Sequence, residues 1–186
     1  MVDWKKLNTE LQADKERFYI ILSGDKGFKS DNFVTAIVND VVTPIRAEEL
    51  FQLVSDKFLT TAKRDYKEIK VVTGDNSGTD SIAIDYAMHN DYDVLKYEAD
   101  WEGKGNKAGF QRNEDMFTRV GGRAHKGAII FWDGEDYMTR NLIYQAYNYC
   151  VPLRVYCYTA KRCLTAKEIL QIQEDERAKQ AKFMRV

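Results

Sequence analysis

Short apolar runs recur along the chain, each followed by a turn signal and then by a helical pattern. FYIIL (18–22), IKVVTG (69–74), a shorter stretch from Val94 to Tyr97, GAIIFW (127–132) and LRVYCY (153–158) are rich in β-branched and aromatic residues. They do not alternate with polar residues, which suits strands buried on both faces of a parallel sheet. The first run ends at Ser23-Gly24 and the fourth at Asp133-Gly134. Between the runs, Leu50, Phe51, Leu53, Val54, Phe58 and Leu59 recur at helical spacing from Arg46 to about Ala62, just after Thr43-Pro44. Ile82, Ala83, Tyr86 and Ala87 form a second stripe within a helix spanning Thr79 to about Asn90. Two more helices are predicted over Asn106–Arg119 and Thr139–Tyr149, and a last one from the N-cap Thr165 toward Lys179. The first 16 residues are expected to form a helix packed outside the sheet.

This alternation predicts an α/β, Rossmann-like doubly wound fold. Its sheet is mainly parallel, of about five or more strands, with right-handed crossovers and helices on both faces. No repeat, low-complexity stretch or linker interrupts it, so residues 1–186 are read as one domain. Its core runs over about 18–158, with terminal helices 1–16 and 165–180 as additions. Ligands of such folds bind beyond the carboxyl ends of the strands.

Composition narrows the function classes. The 186 residues are 44% apolar and 31% charged with two prolines, ordinary for a folded chain and too apolar for a disordered one. With 28 basic and 29 acidic residues the net charge is −1, which argues against nucleic acid as a partner. The segment 161–186 is locally basic, seven Lys/Arg against four Asp/Glu, and reads as a solvated amphipathic helix. Cys150, Cys157 and Cys163 form no CxxC pair and have no nearby histidine cluster. Reduced thiols are therefore expected, with no metal site and no cofactor. His89 and His125 have no acidic partner in motif spacing and read as structural or solvated. The polar N-terminus is not a signal peptide, and no apolar run approaches the roughly 20 residues of a membrane span. A cytoplasmic protein without membrane contact is expected.

The candidate chemistry lies in the strand-end loops. Gly74-Asp75-Asn76-Ser77-Gly78-Thr79-Asp80 follows the second strand and opens a helix. Two glycines and a helix N-terminus can form an anion-binding concavity, or simply a tight turn. The loop matches neither the dinucleotide fingerprint nor the P-loop. Asp80 would repel a bare phosphate; capping the helix or accepting a ribose hydroxyl suits it better. Strand one ends at Gly24, with Lys26 in reach of a ligand, and strand four ends at Trp132-Asp133-Gly134, ahead of Thr139 at a helix start. In the glycine-bearing loop from Ala99 to Asn113, Trp101 offers a ring face for a base and Arg112 a planar fork for phosphate. Trp101 also suits packing, and Arg112 a surface ion pair.

Taken in order, VVTGDNSGTDSIAIDYA, ADWEGKGNKAGFQRNEDM and AIIFWDGEDYMTRNLI resemble the YspA-like branch of the SLOG superfamily over about residues 18–158. That superfamily also holds the LOG or lysine-decarboxylase-like phosphoribohydrolases and the DprA proteins. The resemblance implies a Rossmann-like fold and the binding of a nucleotide or nucleotide-derived small molecule. It makes Gly24 the first-loop glycine, with Lys26 where the family commonly has arginine. Gly74, Gly78 and Asp80 match its glycine-rich second loop, with Ser77 in place of arginine. Asp100 and Trp101 match an Asp-Trp pair, and Arg112, Asn113 and Met116 an Arg-Asn-x-x-Met block. Trp132, Asp133, Gly134 and Thr139 match the fourth-strand block, in which Asp136 and Met138 replace the usual Ser and Gly. The more distant LOG enzymes carry a glutamate where this chain has Leu142.

The expected function is thus binding, sensing or sequestration of a nucleotide-like small molecule. Gly74 to Asp80, including Asp75, Ser77 and Thr79, and Arg112 would surround phosphate and ribose, with Trp101 or Trp132 near the base. Two alternatives stand beside it: N-glycosidic hydrolysis of the LOG type, and single-stranded DNA binding of the DprA type. Leu142 weakens the first, since leucine cannot stabilise an oxocarbenium-like transition state, and the charge balance weakens the second. Homo-oligomerisation is implied by the resemblance.

Overall fold

A computed structural model describes residues 4–183. Helix α1 (Trp4–Lys15) precedes strand β1 (Arg17–Gly24), and the hairpin β2 (Phe33–Val38) and β3 (Val41–Arg46) leads into α2 (Ala47–Asp65). Then come β4 (Glu68–Thr73), α3 (Thr79–His89), β5 (Asp93–Lys96), the short α4 (Trp101–Lys104) and, after one 3-10 turn, α5 (Ala108–Gly121). The chain continues through β6 (Lys126–Trp132), α6 (Tyr137–Asn148), β7 (Leu153–Cys157), the two-residue β8 (Arg162–Cys163) and α7 (Ala166–Phe183). Residues 1–3 of the expected N-terminal helix lie outside the described residues.

The main sheet has the order β5-β4-β1-β6-β7-β8, parallel throughout except for β8, so the mainly parallel doubly wound sheet is present. Strand β1 sits between β4, with Ile20 opposite Val71, and β6, with Leu22 opposite Ile129. Its side chains divide by parity. Ile20 and Leu22 join Phe51, Val71, Ile82 and Phe131 under α2 and α3. Tyr19 and Ile21 join Met116, Phe117, Leu142 and Ile143 under α5 and α6. This double burial is why the strand is apolar without alternation.

Two elements depart from the expectation. Residues 33–46 form a separate two-stranded sheet turned by Asn39 and Asp40, both at positive φ (49° and 63°), as a two-residue hairpin turn requires. The glycine-bearing loop expected from Ala99 is itself largely helical, with α4 and a 3-10 turn over Gly105–Lys107, and the helix expected over 106–119 is present over 108–121. By contrast, Thr165 caps α7 as expected. Its hydroxyl accepts from the Glu168 amide at 3.3 Å, while the Glu168 carboxylate accepts from the Thr165 amide at 2.8 Å. Cys150, Cys157 and Cys163 are free thiols. No helix among the described residues is long and apolar enough to cross a membrane.

From β1 the chain moves to β4 and β5 on one side, then returns to β6 and β7 on the other. The connections therefore part at the carboxyl end of β1. Such a parting leaves a crevice, which is where doubly wound sheets hold ligands.

Candidate functional site

The loops after β1 and β4 are laced together at that end of the sheet. A Cβ on Gly24 would fall 2.1 Å from the Phe131 carbonyl oxygen, so no other residue lets β1 leave the sheet here against β6. A Cβ on Gly78 would fall 2.3 Å from the Lys26 carbonyl oxygen, so the β4 turn lies directly on the β1 loop. The Asn76 side-chain amide donates to the Gly24 carbonyl at 3.0 Å, and the Thr79 amide and hydroxyl donate to the Asp25 carbonyl at 3.1 and 2.8 Å. Asp25, buried, accepts from the Gly27 amide at 2.8 Å and from the Tyr158 hydroxyl. Burial and this carboxylate push the Tyr158 hydroxyl well above its ordinary pKa.

Four amides of the 74–80 turn, those of Asn76, Gly78, Thr79 and Asp80, are satisfied within the chain. Asn76 Oδ1 accepts from the amides of Gly78 (2.9 Å) and Asp80 (3.2 Å), and Asp80 Oδ2 accepts from the Asn76 amide at 3.1 Å. The concavity expected as a phosphate nest is thus filled by its own Asn76 and Asp80 oxygens. Ser77 stands exposed at the tip. Asp80 is wholly buried, with its other oxygen taking the Ser23 hydroxyl proton. Burial raises its carboxyl pKa, opposed by the nearby Arg112 charge and by the Ser23 and Asn76 hydrogen bonds.

Arg112 extends from α5 toward this turn. It is only 6% exposed, donates to Asp75 Oδ1 at 2.6 Å and lies 3.7 Å from Asp80 Oδ2. A second guanidinium nitrogen donates to Asn113 Oδ1 at 3.1 Å. Asn113 in turn donates to the Met138 carbonyl at 3.2 Å and to Asn141 Oδ1 at 3.1 Å, which joins α5 to α6. Asp75 also accepts from the Ala99 amide at 3.1 Å, so the guanidinium ties three loops together. Its Nε is buried without a hydrogen-bond partner. An orphaned donor on so strong a cation costs about 1–3 kcal/mol or more, and it is the kind of group a ligand completes.

A cavity of about 170 Å³ opens beside Arg112. Gly24, Lys26 and Asn76 line it from the β1 and β4 loops, Trp101 from α4, and Asp136, Tyr137, Met138 and Leu142 from the start of α6. Trp101 is 53% exposed at its lip, and Phe110 and Tyr137 face each other nearby with ring centroids 6.0 Å apart. Lys26 is exposed at the rim. Wider, more open depressions lie elsewhere, for example around Lys63 and Asp93 at the opposite edge of the sheet, but without an orphaned buried cation.

The remaining expected residues serve the scaffold. Asp100 caps α4 by accepting from the Gly103 amide at 2.9 Å. Trp132 is buried in the core under α6, with its indole N–H on the Asp136 carbonyl at 3.1 Å and Arg140 over its ring. Trp101, not Trp132, is the tryptophan on the cavity wall. Asp133 Oδ1 accepts from the amides of Glu135 and Asp136, both at 2.7 Å, around Gly134 at φ +97°. Thr139 does not cap α6: Asp136 does, its Oδ2 accepting from both the Thr139 amide and hydroxyl at 2.7 Å.

Asp25, Asn141, Tyr137 and Tyr158 are site residues that the sequence reading did not select. Tyr137 was legible in one respect, as an aromatic at the start of a helix whose strand ends in Asp-Gly. The others were hidden because the partners that bring them to the site lie 28 to 133 residues away. No protein-family model, curated protein or solved structure matches this chain.

Proposed function

We propose that the cavity at the carboxyl ends of β1, β4 and β6 binds a nucleotide or nucleotide-derived small molecule, in keeping with the SLOG-like order of the sequence blocks. The observation that carries this reading is the buried Arg112 guanidinium, whose Nε–H has no partner beside a cavity that Trp101 and Lys26 also line. An anionic oxygen accepting from Nε would relieve the orphaned donor, with Lys26 as a second cation. The exposed Trp101 face supplies a stacking platform for a planar base. Binding, rather than N-glycosidic cleavage, fits the wall. Leu142 is apolar, and the one carboxylate lining the cavity among the described residues, that of Asp136, holds the start of α6.

Isothermal titration calorimetry with AMP, ADP, ADP-ribose, NAD and cyclic AMP tests the reading. At least one should bind. Trp101→Ala, at an exposed position, should weaken that ligand about tenfold or more, the size of one lost base–aromatic stack. No heat from any of the five, or unchanged affinity in both Trp101→Ala and Lys26→Ala, would overturn it.

A further inference from the structure

Side-chain oxygens of the chain itself already occupy part of each anion position beside this cavity. The helix that ends on its wall, α6, begins with a carboxylate already in place: Asp136 Oδ2 holds both the Thr139 amide and hydroxyl at 2.7 Å. That is where the free amides and the positive end of a helix dipole would otherwise receive an anion. The amides of Gly78 and Asp80 at the start of α3 are likewise taken by Asn76. The cations on the cavity wall are the buried guanidinium of Arg112, with its unpartnered Nε–H, and the exposed ammonium of Lys26. Behind Arg112 stand Asp75 at 2.6 Å and Asp80 at 3.7 Å, so three carboxylates face two cations around the cavity.

We propose that Asp136 makes this site selective for ligands whose phosphate carries one charge, such as a cyclic phosphodiester, and excludes terminal phosphates with two. This rests on the nucleotide-binding reading. A phosphodiester oxygen needs about as many strong donors as Arg112 Nε and Lys26 supply. A terminal phosphate, mostly dianionic at neutral pH, brings three acceptor oxygens and a second charge into a partly closed cavity. Its second charge would meet no further cation on the wall, with the Asp136 carboxylate opposing it from the same side. Asp136 is therefore a specificity residue that acts by repulsion, the counterpart of a contact that attracts.

Asp136→Asn removes the charge and keeps an acceptor for the Thr139 amide, since asparagine is also a good N-cap. The full-length wild type and this variant are titrated calorimetrically with cyclic AMP, AMP, ADP and ATP and with the four guanine counterparts, and the thermal midpoint of each protein is recorded. In the wild type, the terminal phosphates should bind at least about tenfold more weakly than the cyclic phosphodiester of the same base. In Asp136→Asn the cyclic ligand, with one charge, should gain less than the terminal phosphates, so that the gap closes to within about threefold. If the variant loses its thermal midpoint, Asp136→Ser, which keeps a capping hydroxyl, carries the same comparison. ATP binding as tightly as the cyclic ligand in the wild type, or a gap unchanged by either substitution, overturns this inference and leaves the binding reading standing. Silence from all eight probes overturns this inference, and the binding reading falls with it only if ADP-ribose and NAD are silent as well.

Discussion

Replacing Asp80 by alanine tests how far the site is also the keystone of the fold. The carboxylate is wholly buried and accepts from the Ser23 hydroxyl and the Asn76 amide, with the Arg112 guanidinium 3.7 Å away. Truncation leaves the Asn76 amide and the Ser23 hydroxyl without their acceptor, at about 1–3 kcal/mol for each donor that stays buried. It also leaves Arg112, 6% exposed, with Asp75 as its one remaining carboxylate. Removing one partner of a buried ion pair typically costs about 3–5 kcal/mol. Partial relaxation and the relief of a desolvated carboxylate offset some of this, so the expected loss is about 3–4 kcal/mol. For a chain of 186 residues that corresponds to a fall in thermal midpoint of roughly 10 °C. Urea unfolding followed by tryptophan fluorescence gives the free energy directly, provided the slope against denaturant is unchanged. Asp85→Ala, exposed on the same helix, is the control and should stay within about 0.5 kcal/mol. A loss below about 1 kcal/mol for Asp80→Ala would refute the claim that this carboxylate anchors the turn.

Two further outcomes follow from the geometry. Gly78→Ala drives a Cβ to 2.3 Å from the Lys26 carbonyl, so the β1 and β4 loops must separate; the expected loss in urea unfolding is about 2–4 kcal/mol, and under 0.5 would show that the contact yields freely. Arg162 and the Thr165 amide and hydroxyl hold the Glu168 carboxyl well below its ordinary pKa. Its contribution to stability is therefore present above about pH 4.5 and is lost as pH falls through the lower folded value. Glu168→Gln should lower the thermal midpoint at pH 7 and converge with the wild type in strong acid, whereas a difference independent of pH would contradict the capping account.

The strands and most helices were legible because each is announced by its own neighbours. Apolar runs without alternation, such as 18–22 and 127–132, mark strands covered on both faces, and the sheet buries them so. The hairpin at 33–46 was legible too. Two β-branched runs flank Asn39-Asp40, two residue types that tolerate the positive φ a tight hairpin turn needs. Candidate residues clustered as expected at the strand ends, and Lys26, Trp101 and Arg112 line one cavity. The allocation of their hydrogen bonds was not legible. Gly74 to Asp80 reads as a nest for an anion, yet Asn76 and Asp80 fill it from within. Arg112 reads as a free fork, yet Asp75 takes one of its arms.

The order of strands and helices, the two-faced burial of the central strand and the loops in which chemistry can lie all follow from the amino-acid string, since period and turn residues act over a few positions. Folding alone settled which donors were left over. Arg112 meets Asp75 across 37 residues and Tyr158 meets Asp25 across 133, contacts created when helices dock on the sheet. A hydrogen bond is spent once, and only the packed chain reveals that the Nε–H of Arg112, beside the cavity, is left over, as are Arg140 Nε and the Ser55 hydroxyl elsewhere.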